Sequence, residues 1–326
     1  MMRDGNYLLK RLKLRDLRIL AAVAKAGSMA RAARELSMSQ PAVSKAVQDL
    51  EAILGARLFD RTSRGIEPTV YGAVMLRRAI AALDELAQGA SDLEFLANPE
   101  HGELRVVCSE GMASGILPVI LQRLLTVRPG LSFHVFASDV PDQSYARLVA
   151  NRDVEIMLGR YPKPFVSADL EVEHLFDDPL VVVAGRQHPK ARKRKLQLSQ
   201  LLDEPWILLP TQAAIAGVVH NVFAASGLPF PRAAVYTLSI HVRYSMLASG
   251  NFITTMPASS LRVSPFRDLM TVLPVQLPGG PGPVGLVKVK GHTLSPVAEL
   301  FAEAARAVSL ELMSGANKRP FGRSSQ

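Results

Sequence analysis

The chain has 326 residues, 48% of them hydrophobic, and a formal net charge of +9 from 38 Lys and Arg against 29 Asp and Glu. Its single cysteine, Cys108, excludes an intramolecular disulfide and a cysteine-based zinc cluster. No apolar run reaches the roughly 18 residues of a membrane span, and the opening MMRDGNYLLKRLKLRD lacks the apolar core of a signal peptide, so a cytoplasmic protein with no membrane partner is expected.

The length predicts two or three domains. The charge is uneven. Residues 1–70 hold thirteen Lys and Arg against seven Asp and Glu, a formal +6, which leaves +3 for the other 256 residues. A basic N-terminal module on a nearly neutral body points to a polyanion as that module's partner.

Leu14, Leu17, Leu20, Ala21 and Ala24 recur at helical spacing and predict an amphipathic helix over 14–26, ended by Gly27. Ser28 stands where it can cap a second helix whose inward stripe is Ala32, Ala33 and Leu36. Ser37-Met38 reads as a turn. Ser39 is the cap of a third helix, and Pro41 falls in its first turn, where a missing N–H costs little. Val43, Val47, Leu50 and Leu54 form the inward stripe of that helix, which leaves Gln40, Ser44, Lys45 and Gln48 facing outward. Gln can read an adenine edge through two hydrogen bonds, and Lys can reach a guanine or a phosphate. An ordinary solvated helix face would show polar residues too, but this face has few acids before Asp49 and adjoins a second basic element. That element, RLFDRTSRGIEPT at 57–69, reads as a two-stranded wing with its tip at Ser63-Arg64-Gly65. Arg61, Thr62, Ser63 and Arg64 are its candidate contacts to phosphates or the minor groove. Arg31 and Arg34, on the second helix, complete the candidate DNA-binding set.

The stretch AARELSMSQPAVSKAVQDLEAILGARLFDRTSRGIEPTVYG strongly resembles the LysR-type transcriptional regulators. The SQPAVS helix start, LE-x-x-LG-x-x-LF-x-R and R-x-x-RG-x-x-x-T-x-x-G carry the resemblance. It implies that Gln40, Pro41, Ser44 and Lys45 contact DNA and that Arg61 and Arg64 touch its backbone or minor groove. Met29 and Ala30 depart from the Phe and Thr common at those positions, and Val70-Tyr71 departs from Glu-Ala.

From Gly72 to Ala97 no proline occurs. Met75, Ala79, Ala82, Leu86, Gly89, Leu93 and Leu96 alternate spacings of four and three, beside a second seam of Leu76, Ile80, Leu83, Ala87 and Ala90. Two adjacent seams suit a helix that packs on its own module and on a partner helix, so a homodimer or homotetramer is expected. Asn98-Pro99 breaks the helix, and 98–103 reads as a hinge.

Beyond residue 103 short strands alternate with helices: strands at 104–108, 132–136, 154–158, 180–184, 206–209, 234–238, 252–255 and 285–289, and helices at 115–127, 143–150, within 214–226, at 241–249 and from Ser295-Pro296. The alternation predicts a mainly parallel, open α/β sheet, with ligands bound beyond the carboxyl ends of its strands. The region resembles the family's effector domain, built like a periplasmic binding protein. Crossovers are placed near 172–177 and 271–276, which gives subdomain I at 103–171 with 277–313 and subdomain II at 178–270. DLEFLANPEHGELRVVCSEGMASGILPVI looks closest to a subgroup that includes regulators of sugar-binding-protein genes. The expected fold is therefore α/β: a winged helix-turn-helix at 1–71, a linker helix at 72–97, and a two-subdomain effector domain at 98–326.

Polar residues just after strand ends are the candidate effector ligands: Ser109, Glu110, Ser138, Arg160, Thr211 and Thr254. A helix-capping role competes with ligand binding for each Ser and Thr. Cys108, inside an apolar strand, reads as a structural thiol. HPKARKRK at 188–195 resembles a nuclear signal or a second DNA patch but is expected to be a solvated loop before the next helix, and GGPGPVG at 279–285 to be a turn. GMASG misplaces its serine for a nucleophile elbow. No catalytic constellation, cofactor loop or metal-ligand spacing stands out, and no enzyme is expected. The expected partners are duplex DNA, a small metabolite, further copies of the chain and RNA polymerase.

Overall fold

A computed structural model of the chain describes residues 10–62, 65–137, 149, 154–161, 164–211, 216–278 and 282–314. It divides into two compact units, Met1–Leu93 and Glu94–Gln326.

In the first unit three helices, α1 (Leu14–Ala26), α2 (Met29–Glu35) and α3 (Gln40–Leu54), precede a hairpin of β1 (Phe59–Thr62) and β2 (Gly65–Pro68). The long helix α4 (Val70–Ala97) follows and runs into the second unit. On α2 and α3 the predicted stripes are the core: Ala32 and Ala33, and Val43, Val47 and Leu50, are buried together with Leu58, Phe59 and Ala79. On α1 only Leu20 of the predicted stripe is buried, beside Ile19, Val23 and Ala26, while Leu14 is 52% exposed, so the inward face is turned from the one expected. The helix ends follow the local chemistry. Asp16 accepts from the Lys13 N–H at 3.1 Å. Gly27, in the left-handed region at φ 60°, ends α1 by donating its N–H to the Val23 carbonyl at 2.9 Å. Ser28 holds the N-cap position of α2 without a side-chain capping bond.

Two mixed five-stranded sheets build the second unit. The first has the order β4 (Leu131–Ala137), β3 (Gly102–Cys108), β5 (Ile156–Arg160), β12 (Gly282–Val289), β6 (Leu170–Asp178). The second has the order β11 (Met270–Val272), β7 (Leu180–Gly185), β10 (Ile253–Pro257), β8 (Trp206–Leu208), β9 (Ala233–Tyr236). Here the expectation of mainly parallel sheets fails. Strands β3, β4 and β5 are parallel, but β12 runs antiparallel to both β5 and β6. Likewise β8, β9 and β10 are parallel, while β7 is antiparallel to β10 and β11. The cause is the pair of crossings between sheets. The chain leaves the first sheet along β6, turns at Pro179 into β7, and returns through β11 and then β12. The strand that enters each sheet after a crossing, β7 or β12, runs against the strands joined by helices, while β6 and β11 run with them. Gly282–Gly285, expected as part of a turn, belongs to β12, while residues 279–281 lie outside the described residues.

The first sheet is covered by α6 (Ile116–Val127) and α10 (Pro296–Ser314), whose Ile116, Ile120, Phe301, Ala305 and Val308 pack on Leu104, Val106, Ile156, Leu158 and Leu286. Helix α10 starts as expected at Ser295, whose hydroxyl accepts from the Ala298 N–H at 3.1 Å and donates to Glu155 at 2.7 Å. The second sheet packs on α7 (Ala216–Ala225), with Trp206 set edge-on to Phe223 at 5.6 Å and its indole N–H donating to the Leu201 carbonyl at 2.6 Å. Helix α8 (Ile240–Ala248) brings Ile240, Tyr244 and Leu247 against Val183 and Met256. Two short helices were not foreseen, α5 (Glu110–Ala113) and α9 (Ala258–Val263), each directly after the carboxyl end of a strand. The helix expected at 143–150 lies almost wholly outside the described residues.

Candidate functional site

The exposed face of α3 presents Gln40, Pro41, Lys45 and Gln48 to solvent, with Ser44 half-buried beside them, while Val43, Val47 and Leu50 are at most 4% exposed beneath. Ser39 caps the helix: its hydroxyl oxygen accepts from the Ala42 N–H at 3.4 Å, and Pro41 follows in the first turn. Arg31 and Arg34 are exposed on α2. Between α2 and α3 the chain turns through Ser37, held in the left-handed region at φ 53°. Arg61 and Thr62 belong to β1, and Ser63 and Arg64 lie outside the described residues.

Three contacts that sequence reasoning did not assign hold the hairpin on these helices. Glu51, on α3, accepts from the N–H groups of Leu58 and Phe59 at 2.7 and 3.4 Å, so α3 orients the strand that carries Arg61. The Ile66 N–H donates to the Gly27 carbonyl at 3.0 Å and docks β2 on the α1–α2 corner. Thr69 donates to the Arg57 carbonyl at 2.7 Å and accepts from the Gly72 N–H at 3.0 Å, joining the hairpin to the first turn of α4. Glu51, Thr69 and Gly72 all stand in the motifs quoted above. Their spacing marked them, but only the tertiary contacts show what they do.

Along α4 the first seam changes its surroundings. Ala79 is buried and Met75 and Leu76 pack on the core of the first unit, whereas Leu86, Leu93 and Leu96 are 55%, 69% and 73% exposed. A helix whose apolar seam runs on after its own module has ended presents that seam to something else.

In the second unit Ser109 and Glu110 follow β3, and Arg160 ends the neighbouring β5. Cys108 pairs with Leu158 across β3 and β5 and with Ala137 across β3 and β4, so these residues share one sheet edge. Ser138, next after Ala137, lies outside the described residues. Thr211 follows β8 at the matching carboxyl edge of the second sheet. The two edges meet. Ser260 of α9 donates its hydroxyl to the Gly111 carbonyl of α5 at 3.1 Å, and a Cβ on Gly111 would stand 3.3 Å from the Pro257 ring. The carboxyl ends of both sets of parallel strands thus face each other, where open α/β sheets bind ligands.

The candidate side chains are not equally free. Ser109 caps α5, accepting from the Met112 N–H at 3.4 Å. Thr254 is 1% exposed and donates to the Ile207 carbonyl at 2.7 Å, which commits its hydroxyl to the sheet. Arg160 is 16% exposed at its side chain and donates from Nη2 to the Asp178 carbonyl at 2.5 Å, with Asp178 Oδ2 at 3.5 Å. Its Nε has no hydrogen-bond partner among the described residues. Burial pushes the Arg160 guanidinium below its usual value, and the Asp178 charge opposes that shift. The guanidinium fits because residue 282 is glycine: a Cβ there would sit 1.8 Å from Arg160 Nη1. Thr211 is exposed and opens onto a cavity of about 590 Å³ shared with Leu209, His220, Phe230 and Tyr236. Cys108 is 1% exposed. Among the described residues no group of His, Cys, Asp and Glu is arranged to hold a metal, and no helix is long and apolar enough to cross a membrane.

Comparison with known proteins agrees with this division. Residues 14–73 match the model of the bacterial regulatory helix-turn-helix protein, LysR family, and residues 97–309 match the LysR substrate binding domain. The chain is 31% identical over 320 residues to the HTH-type transcriptional regulator GbpR of Azospirillum brasilense, covering 97% of this chain and 92% of that one. Among solved structures it is similar to full-length OxyR from Pseudomonas aeruginosa, with TM-score 0.64 at 21% identity, covering 91% of this chain and 95% of that one. It is also similar to full-length CbnR in complex with its target DNA, with TM-score 0.51 at 24% identity and coverage of 91% and 100%. With both modules present in order, and a relative of this identity over almost its whole length, the chain belongs to the LysR family: it is a transcriptional regulator with a helix-turn-helix DNA-binding domain and a substrate-binding effector domain.

Proposed function

We propose a division of labour in which residues 1–71 read duplex DNA, 72–97 pair two copies of the chain, and 98–326 sense a small metabolite. The meeting of the two carboxyl edges at Gly111 and Ser260 carries the sensing part of this reading. A ligand between those edges would touch both subdomains at once, and so bind one of their arrangements better than another; only such a difference in affinity can shift an equilibrium. Ser109, Glu110, Arg160 and Thr211 are its candidate contacts, with Arg160 offsetting Glu110 if the ligand is anionic. Thr254 supports the second sheet from within rather than reaching the ligand, since its hydroxyl is already bonded.

For DNA, Gln40, Pro41, Ser44, Lys45 and Gln48 would enter the major groove. Ser39 would place the start of α3, and Arg31, Arg34, Arg61, Thr62, Ser63 and Arg64 would lie along phosphates and the flanking groove. The exposed Leu86, Leu93 and Leu96 support pairing through α4, which sets two recognition helices about one duplex turn apart, or a tetramer made of two such pairs. A regulator bound to DNA acts in the cytoplasm and changes transcription by helping or hindering RNA polymerase, its downstream partner. Selection from a random duplex pool by the full-length protein, with and without a metabolite extract, tests this. A short interrupted palindrome, whose recovery shifts on adding extract, is expected. Recovery of unrelated sequences under both conditions overturns the reading.

A further inference from the structure

Six cations crowd ten residues of the second unit: Arg186, Lys190, Arg192, Lys193, Arg194 and Lys195, with no acidic residue between them. Beyond residue 70 the chain carries +3 in all, so without these six it would stand at −3. The run thus more than accounts for the net positive charge of the body.

A run of this kind is often a freely moving, solvated loop, but here it is pinned. His188 is 2% exposed; its Nδ1 accepts from the Lys190 N–H at 3.2 Å, and its Nε2 lies 3.3 Å from Glu204. The Ala191 and Lys193 N–H groups donate to the carbonyls of His188 and Lys190 at 2.9 and 3.1 Å, forming a tight turn over Pro189–Arg192. Beyond it the Leu196 N–H bonds the Pro274 carbonyl at 3.3 Å, with Leu196 and Leu198 buried. Glu204 also takes Lys190, at 3.4 Å. Arg186, Arg192, Lys193, Arg194 and Lys195 remain exposed with no acidic partner among the described residues. Like charges held close together raise the energy of the free protein and lower it against a polyanion.

We infer that this loop binds the phosphates of duplex DNA, as a second contact separate from the helix-turn-helix. Charge density favours that partner. A duplex offers one negative charge per ~1.7 Å of its axis, so four consecutive cations meet several phosphates at once. The run contains no Phe, Tyr or Trp on which an unpaired base could stack, which argues against single strands. The helix-turn-helix of the same chain, once bound, holds a duplex at high local concentration. Contacts from Arg and Lys to phosphates carry no sequence information, so binding through phosphates is sequence-independent.

The test is the salt dependence of binding by the full-length protein to a random-sequence duplex of about 60 base pairs, several helical turns long. Replacing Arg192, Lys193, Arg194 and Lys195 with Gln is expected to lower the slope of log K against log salt by about three to four, since each phosphate contact contributes roughly 0.9. The anchors His188, Glu204 and Leu196 are untouched, so the thermal midpoint should hold. Should the fourfold variant fail to fold, R192Q/K193Q and R194Q/K195Q are measured separately, each expected to lower the slope by about two. An unchanged slope in folded variants overturns the proposal and leaves an acidic protein surface as the partner to seek.

Discussion

The Asp178 carboxylate grips Ser259 twice: Oδ1 accepts from the Ser259 N–H at 2.9 Å and Oδ2 from its hydroxyl at 2.6 Å. Asp178 ends β6 in the first sheet, and Ser259 opens α9 after β10 of the second. One buried side chain, 2% exposed, therefore locks the crossing strand of the first sheet to the helix that follows β10 of the second, next to Arg160. Asp178→Ala should remove two charge-assisted hydrogen bonds and leave the Ser259 donors buried without partners, at a cost of about 3 kcal/mol. Asp178→Asn, which keeps one acceptor, should cost about half as much. Urea unfolding of the full-length chain measures both, and a loss below about 1 kcal/mol for the alanine variant would show that the clamp is not holding the crossover.

Gly72 meets the Leu58 carbonyl so closely that a Cβ would stand 1.9 Å from the oxygen. Alanine in place of glycine inside a helix ordinarily gains about 1 kcal/mol. Here the clash must move the hairpin or the start of α4, and overpacking of this kind costs about 1–3 kcal/mol. The clash should win. Gly72→Ala is expected to lower the unfolding midpoint, whereas Gly89→Ala, with nothing within 4 Å of the added Cβ, should raise it in the unpaired chain.

Gln40 is exposed at the first turn of α3, where a carboxamide can take both hydrogen bonds of an adenine edge. Gln40→Ala should weaken binding to selected sites by about 1–3 kcal/mol and binding to random duplex very little. Equal losses on both would remove Gln40 from base reading.

His188 gives the body a sensitivity to acid. Burial holds its imidazole below the usual value near 6.5, the Glu204 charge and hydrogen bond opposing and Lys190 adding to the shift. A folded-state pKa below the unfolded one means that the unfolded chain binds the proton first. The stabilisation is therefore complete above pH 6.5 and is lost as the pH falls from there through the depressed folded value. Urea midpoints at pH 7.5 and at lower pH should diverge in the wild type, and His188→Gln should narrow that gap. A gap of the same size in both proteins would assign the acid sensitivity to other groups.

What was legible in the sequence is what neighbours along the chain decide. The stripe Val43, Val47 and Leu50, the Ser39 cap and the Gly27 stop depend on residues three and four apart, and each lies where its spacing put it. The same holds for the alternation of strands and helices beyond residue 103 and for the start of α10 at Ser295. Strand direction did not follow, because β12 pairs with β5 and β6 across more than a hundred residues, and no local pattern records which way a returning strand will run. The roles at the sites divide along the same line. Gln40 and Lys45 are exposed because a helix has an outer face. That Thr254 is spent on the Ile207 carbonyl, that Gly282 leaves room for Arg160, and that Asp178 holds Ser259 across two sheets emerged only once distant segments were brought to hydrogen-bonding range. Periodicity and capping are short-range and written residue by residue. The sense of a sheet and the partner of a buried charge are set by packing the whole chain into one core.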